Sequence, residues 1–208
     1  MHVISPFRCV DRHLPKVQDV HKLSFLRKGY QIGDFLTTGG FSDVYKIKSP
    51  EHLIAKITPL GDSAKILIRE ASLCKYITKW QSERNLELVS FYHDSWIEKD
   101  QDLIYQIVIS QKYDGDLFQL YHQGLSTDLF SLLKSQLETK LKLLHSLGIA
   151  HHDIKAENVL YRRNGDNVVF VYTDLGLAKQ EDEGDFERYV VDDRVCLAKM
   201  LEKLCVGI

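Results

Sequence analysis

Hydrophobic and polar positions change their period several times along the chain, and each change marks an expected element. Tyr30, Ile32, Phe35 and Leu36 lead into a polar stretch at 37–42, and Val44, Tyr45 and Ile47 resume the pattern, which predicts a hairpin with a glycine-containing tip. Residues 53–57, Leu-Ile-Ala-Lys-Ile, predict a strand. A helix is expected from Asp62 or Ser63 to about Gln81, because Ile66, Glu70, Cys74 and Ile77 recur on one face. Residues 89–96 and 103–109 predict two further strands around an acidic turn at 98–102. Leu129, Leu132, Leu133, Leu137, Leu141 and Leu144 give the apolar face of a second helix that opens at Thr127 or Asp128 and runs to about His145. The runs at 159–161 and 168–172 flank Asn164-Gly165, a turn pair that predicts another hairpin. Residues 192–201 predict a last amphipathic helix. Residues 1–29 contain Pro6 and Pro15 and no sustained period, so a loosely packed extension is expected there.

Two of these elements carry a charge where the pattern calls for an apolar side chain. Lys56 interrupts an apolar strand, and a buried ammonium is costly unless an anion meets it. Glu70 sits on the apolar stripe of the first helix and wants a cation, so the two residues are candidate partners. A third concentration of charge is the octet at 151–158, His-His-Asp-Ile-Lys-Ala-Glu-Asn, directly before an apolar run. A short loop ending on a strand can aim Asp153, Lys155 and Asn158 into one cleft. A carboxylate there can orient and accept the proton of an attacking hydroxyl, an ammonium can neutralise a transferring phosphoryl group, and a carboxamide oxygen can ligate a hard cation.

Composition narrows the setting. With 208 residues, 44% of them hydrophobic, the chain can bury a core of one large domain or two small lobes. Its net charge of -2 comes from 27 basic and 29 acidic residues that are interspersed, so neither nucleic acid nor an anionic membrane is an expected partner. Cys9, Cys74, Cys196 and Cys205 form no C-x-x-C pair, which points to buried thiols in a reducing compartment. No apolar run reaches the roughly 18 residues of a membrane span, and the N-terminus lacks the layout of a secretory signal. A cytoplasmic protein is expected.

The octet resembles the catalytic loop of eukaryotic-type protein kinases, H-R-D-x-K-x-x-N, with His152 at the usual arginine. Residues 173–179, Thr-Asp-Leu-Gly-Leu-Ala-Lys, are similar to the family's D-F-G-L-A-K with Leu175 for Phe, and residues 53–57 to its V-A-I-K strand. The stretch 37–44 aligns with G-x-G-x-x-G-x-V, although only Gly39 falls on a family glycine and Thr37 and Ser42 replace the outer two. Residues 192–201 resemble the central helix motif D-x-x-x-L-G, with Ala198 for Gly. The resemblance covers about 30–204 and implies an α+β bilobal fold. A five-stranded antiparallel N-lobe at 30–110 and a truncated, mainly helical C-lobe at 111–208 would form a minimal kinase domain, preceded by the extension at 1–29.

It further implies ATP and Mg2+ as cofactors and assigns roles. Asp153 would position and deprotonate the hydroxyl, Lys155 steady the transferring group, Asn158 and Asp174 hold the metal, and Lys56 paired to Glu70 clamp the nucleotide. Gly39, Gly40 and Phe41 would cover the phosphates. Val44, Ala55, Ile109 and Leu160 would surround adenine, with Ile109 as gatekeeper, residues 110–113 as hinge and Asp116 as a ribose or substrate contact. Lys155 is the serine/threonine version of that position.

The departures carry their own expectations. The stretch between Asp174 and Asp193 is too short for the family's activation segment and its A-P-E anchor, and His152 replaces the arginine that pairs with a phosphorylated loop, so activity is expected not to depend on loop phosphorylation. Glu181, Asp182, Glu183, Asp185 and Glu187 fill the stretch and are expected to be solvated surface, with a fixed surrogate for the missing loop as the alternative. The sequence stops at Ile208, before the later C-lobe helices, and a partner protein is expected to support the lobe. Compact forms of this kind resemble kinase effectors that bacterial pathogens inject into host cells, which would make a host protein the substrate and the host cytosol the site of action; reduced kinases of large DNA viruses are the alternative resemblance. Two other readings stand beside a protein serine/threonine kinase. One is a pseudokinase that binds a partner, which the lost glycines favour. The other is a small-molecule phosphotransferase of the aminoglycoside or choline kinase kind, which Lys155 and Asp-Leu-Gly disfavour.

Overall fold

The computed structural model describes Phe25 and residues 28–38, 42–60, 64–100, 103–165 and 167–205, with the backbone alone for 64–67. Gly39, Gly40 and Phe41 lie outside the described residues, as do residues 1–24 of the expected extension.

The first lobe is one antiparallel sheet. Strands β1 (Gln31–Thr38), β2 (Asp43–Ser49), β3 (Leu53–Pro59), β4 (Tyr92–Asp100) and β5 (Leu103–Gln111) stand in the order β1-β2-β3-β5-β4. Helix α1 (Ala64–Ser82) connects β3 to the segment before β4. Alternation sorts β3 into two faces. Leu53, Ala55 and Ile57 enter a core with Ile32, Ile47, Tyr105, Ile107 and Ile109, while Ile54 and Lys56 point the other way. Phe25 belongs to this core at 1% exposure, and the Lys28 and Tyr30 amides both donate to its carbonyl, so the lobe reaches back past the expected start of the domain. Its ring meets the edge of Trp96, on which Tyr30 stacks.

The strand expected at 89–96 begins only at Tyr92, and Gln81 gives the physical reason. This fully buried side chain accepts from the Leu88 and Val89 amides and donates to the Val89 carbonyl, which takes the segment out of the sheet. Leu88 and Ser90 pair instead with Tyr172 in the second lobe, through Tyr172 N to Leu88 O at 3.0 Å and Ser90 N to Tyr172 O at 2.9 Å.

The second lobe opens with β6 (Gly115–Asp116) and helix α2 (Leu117–Gln123), which sequence reasoning missed. Asp116 is its N-cap: Oδ1 accepts the Gln119 amide at 2.7 Å. Helix α3 (Thr127–Ser146), capped by Ser126, buries Leu133, Leu137, Leu141 and Leu144. Leu132 was expected on that face but is 40% exposed, because a residue next to Leu133 is rotated about 100° around the helix from it. Gly148 turns the chain out of α3 at φ +71, a conformation that favours glycine.

Strand β7 (Ile149–Ala150), a single 3-10 turn at Ala156–Asn158, and the hairpin β8 (Val159–Asn164) and β9 (Asn167–Tyr172) follow, with β6 pairing on β8. Strand β10 (Lys179–Gln180) returns to pair with β7. The last helix, α4 (Phe186–Cys205), starts a turn and a half before the stretch expected from the motif at 192–201. Two lobes of mixed α+β structure, the first a five-stranded antiparallel sheet and the second built mainly on α3 and α4, make the bilobal kinase architecture expected from the sequence. Among the described residues no helix is long and apolar enough to cross a membrane.

Candidate active site

Four backbone segments deliver charged or polar heads to the cleft between the lobes. From β3, Lys56 reaches α1, where its Nζ stands 3.4 Å from Glu70 Oε1. The same ammonium is 3.9 Å from Asp174 Oδ1, which follows β9. Burial works against the charge on Lys56, but Glu70 and Asp174 outweigh it and hold the ammonium above its ordinary pKa. Burial pushes Glu70 upward, against the pull of Lys56. Cys74 lies one helical turn beyond Glu70, and burial, then Glu70, raise its thiol to about 12, so it is an uncharged packing residue.

The 151–158 loop supplies the second group. Asp153 Oδ2 receives Lys155 Nζ at 2.6 Å and Asn158 Nδ2 at 2.7 Å, and Asn158 Nδ2 also donates to the Asp153 carbonyl at 2.9 Å. These contacts lock the three heads together and leave Asp153 Oδ1 for a further donor. Asn158 has its amide nitrogen committed, so what it can offer a cation is its carbonyl oxygen. The Thr173 amide donates to the Asn158 carbonyl at 3.0 Å, and Val159 pairs with Tyr172 across β8 and β9, so Asp174 leaves the hairpin beside Asn158.

Two backbone torsions at the site are held where side chains rarely sit. His152 and Asp174 have φ of 61° and 62°, the left-handed region, and each lies at a bend that aims a neighbouring group into the cleft. The His151 ring is fully buried beneath this bend. Its Nε2 donates to the Thr173 carbonyl at 2.9 Å and Nδ1 accepts the Asp153 amide at 3.3 Å, the pattern of a neutral imidazole. Burial lowers its pKa, although Asp193 pulls the other way. His152 is exposed, with its ring 5.1 Å from that of Tyr189 on α4.

Asp193 is the anchor that sequence reasoning left without a role. At 1% exposure it accepts the backbone amides of His151 at 2.7 Å and His152 at 2.8 Å and the His145 Nε2–H at 2.9 Å. Its signal was present as an acidic residue on the apolar side of an amphipathic helix.

The adenine wall needs a correction. Ala55 and Ile109 were expected against the base, yet they oppose each other in the β3–β5 register, both are 0% exposed, and both belong to the sheet's inner core. They offer no surface to the cleft. The residue beside Lys56 on its own face is Ile54, two positions away, while Val44 is aligned with Lys56 across β2–β3. Leu160, half-buried on β8, pairs with Asp116, whose Oδ1 is occupied by its capping bond. The acidic stretch also differs from expectation at one residue. Glu183 is ion-paired to Arg69 on α1 and lies 3.6 Å from Lys179, whereas Glu181, Asp182, Asp185 and Glu187 are exposed.

Among the described residues no cluster of three or more His, Cys, Asp and Glu could by itself hold a metal ion. Asp174 and Asn158 provide one carboxylate and one carboxamide oxygen, which suits magnesium when phosphate and water oxygens complete its shell.

A family profile described as Protein kinase domain matches residues 30–196. The chain is similar to a calcium/calmodulin-dependent protein kinase type 1 of Macrobrachium nipponense, 27% identical over 177 residues that make 81% of this chain and 49% of that protein. The protein of the same name from Caenorhabditis elegans is 29% identical over 164 residues, 76% of this chain and 45% of that one. A mitogen-activated protein kinase kinase kinase 1a of Physcomitrium patens is 32% identical over 168 residues, 76% of this chain and 21% of its own length. The chain spans about half the length of the calmodulin-dependent kinases it matches.

Proposed function

The chain belongs to the protein kinase domain family, and we propose that it transfers the γ-phosphoryl group of ATP to serine or threonine hydroxyls of a protein substrate. The observation that carries this reading is the meeting of two charge clusters on one cleft, Lys56 with Glu70 and Asp174, and Asp153 with Lys155 and Asn158. Phosphoryl transfer asks a protein mainly for placement and for charge compensation, and these groups provide both.

Each residue has a task that its surroundings suit. Lys56, kept charged and steered by Glu70, holds the inner phosphates. Ile54 and Val44 take the adenine contact in place of Ala55 and Ile109. Asp153 Oδ1 accepts the hydrogen bond of the attacking hydroxyl and then its proton, while Lys155 neutralises charge on the group in transit. Protein kinases as a family use ATP and Mg2+; here Asp174 and Asn158 would hold the ion, which supplies charge neutralisation between phosphate oxygens. Lys155 supports serine or threonine as acceptor. The short stretch between Asp174 and Asp193 supports activity without loop phosphorylation, and it is also the ground for reading the chain as an effector acting on a host protein.

The test is incubation with labelled ATP, Mg2+ and a generic protein acceptor, followed by phosphoamino-acid analysis. Label on serine and threonine is the expected result. Label on tyrosine alone would overturn the acceptor assignment, label only on a small-molecule amine or alcohol would favour the phosphotransferase reading, and ATP binding without transfer would favour the pseudokinase.

A further inference from the structure

Arg69 and Glu70 are neighbours on α1, and successive helical side chains leave the axis in different directions. Glu70 turns to Lys56 in the cleft. Arg69 turns to Glu183, which lies just beyond β10. Glu183 Oε1 accepts from Arg69 Nη2 and, at 3.2 Å, from the backbone amide of Gln180; Oε2 stands 3.6 Å from Lys179 Nζ. The Glu183 amide in turn donates to the Gln180 carbonyl at 2.9 Å, so one tight turn presents a carboxylate flanked by two cations and an amide. That turn is itself fastened, because β10 pairs with β7, the strand that runs into the 151–158 loop. The ion pair therefore connects the helix that carries Glu70 to the loop that carries Asp153.

Nothing else in this stretch can take that role through serine or threonine phosphorylation. Between Asp174 and Asp193 the sequence contains neither residue, and its one hydroxyl is that of Tyr189, whose ring is already packed 5.1 Å from His152 and 5.9 Å from Lys179 Nζ.

Resting on the kinase reading, we propose that Glu183 is a built-in clamp, a carboxylate that holds α1 through Arg69 and so keeps Glu70 on Lys56 without any phosphate group being added to the chain. Glu183 is a positioning residue and touches no substrate.

The test is a double-mutant cycle on the full chain with Arg69→Gln, Glu183→Gln and the pair, with Asp182→Asn as a charge-matched control from the same turn. Half-exposed ion pairs of this kind give each single variant an expected fall in kcat of about three- to fivefold, and the double variant should fall no further than the worse single. The KM for the protein acceptor should stay constant, phosphatase treatment should leave the wild type unchanged, and amide exchange in α1 should quicken in Glu183→Gln. A general loss of packing would instead lower the fraction of active protein and leave kcat per folded molecule intact. The clamp is overturned if Glu183→Gln keeps the wild-type kcat and α1 exchange, if the single effects multiply in the double variant, or if phosphatase treatment removes activity. A wild type that transfers no phosphate would sink the kinase reading, and the exchange of α1 in Glu183→Gln would then judge the clamp alone.

Discussion

Asp193 Oδ1 accepts the backbone amide of His152 at 2.8 Å, joining α4 to the 151–158 loop across 41 residues of chain. His152 sits at φ 61°, a conformation that costs about 1–3 kcal/mol and persists only where surroundings impose it. The second carboxylate oxygen takes the His151 amide and the His145 ring, so one buried charge fixes the bend from which Asp153 is aimed.

Asp193→Ala should strip the acceptor from three donors, the His151 and His152 amides and the His145 ring. We expect a loss of about 3 kcal/mol or more in urea unfolding, with the 151–158 loop exchanging its amides faster than the N-lobe sheet. Asp193→Asn keeps one oxygen acceptor and should lose less. A stability change within about 0.5 kcal/mol for the alanine variant, the range of an ordinary surface substitution, would show that α4 does not hold the loop.

His151 makes the loop sensitive to acid. Its folded-state pKa is lowered by burial, below the ordinary 6.5, so between those two values the unfolded chain binds the proton and the folded chain does not. Stability contributed by His151 is then full above about pH 6.5 and is lost as the pH falls through the window beneath it. Protonation would also place a hydrogen on Nδ1, where the Asp153 amide now donates. Melting temperatures measured from pH 5 to 7.5 should fall more steeply on acidification in the wild type than in His151→Gln. Parallel curves would contradict the assignment.

Phe25 tests how far the N-lobe extends. Its ring is packed among β1, β2, β3 and β5 and against Trp96, so Phe25→Ala should cost about 3–5 kcal/mol. Chemical denaturation of the full chain reads this directly. A loss under about 1 kcal/mol, typical of a partly exposed site, would mean that the lobe is complete from Tyr30 onward.

Much of the architecture was legible because its signals are periodic. The lone lysine of an apolar strand and the lone glutamate of an apolar helical stripe advertise themselves as charges in need of a partner, and Asn164-Gly165 names its own hairpin. What escaped was set by geometry that a pattern of residue types does not carry. A strand has period two, so taking Ala55 in place of Ile54 moves the expected contact to the opposite face of the sheet. Gln81 works through side-chain bonds to Leu88 and Val89, and that breaks a strand whose composition looks continuous from 89 to 96. Asp116 also caps a helix of only seven residues, too short for its period to stand out in the sequence. Phe25 stands in a stretch without any sustained period, and only its burial reveals it. Glu183 could not be told from its acidic neighbours because Arg69 is 114 positions away in sequence.

The most direct measurement is the rate of phosphate transfer from ATP to a protein acceptor by wild type and Asp174→Asn, with both shown to be folded to the same extent. Asparagine tolerates the left-handed φ of 62° at this position and keeps the shape of the side chain while removing its charge, so the fold should survive. The account predicts a fall of about 10²-fold or more in the variant, with its unfolding transition unchanged. Equal rates from the two proteins would contradict it.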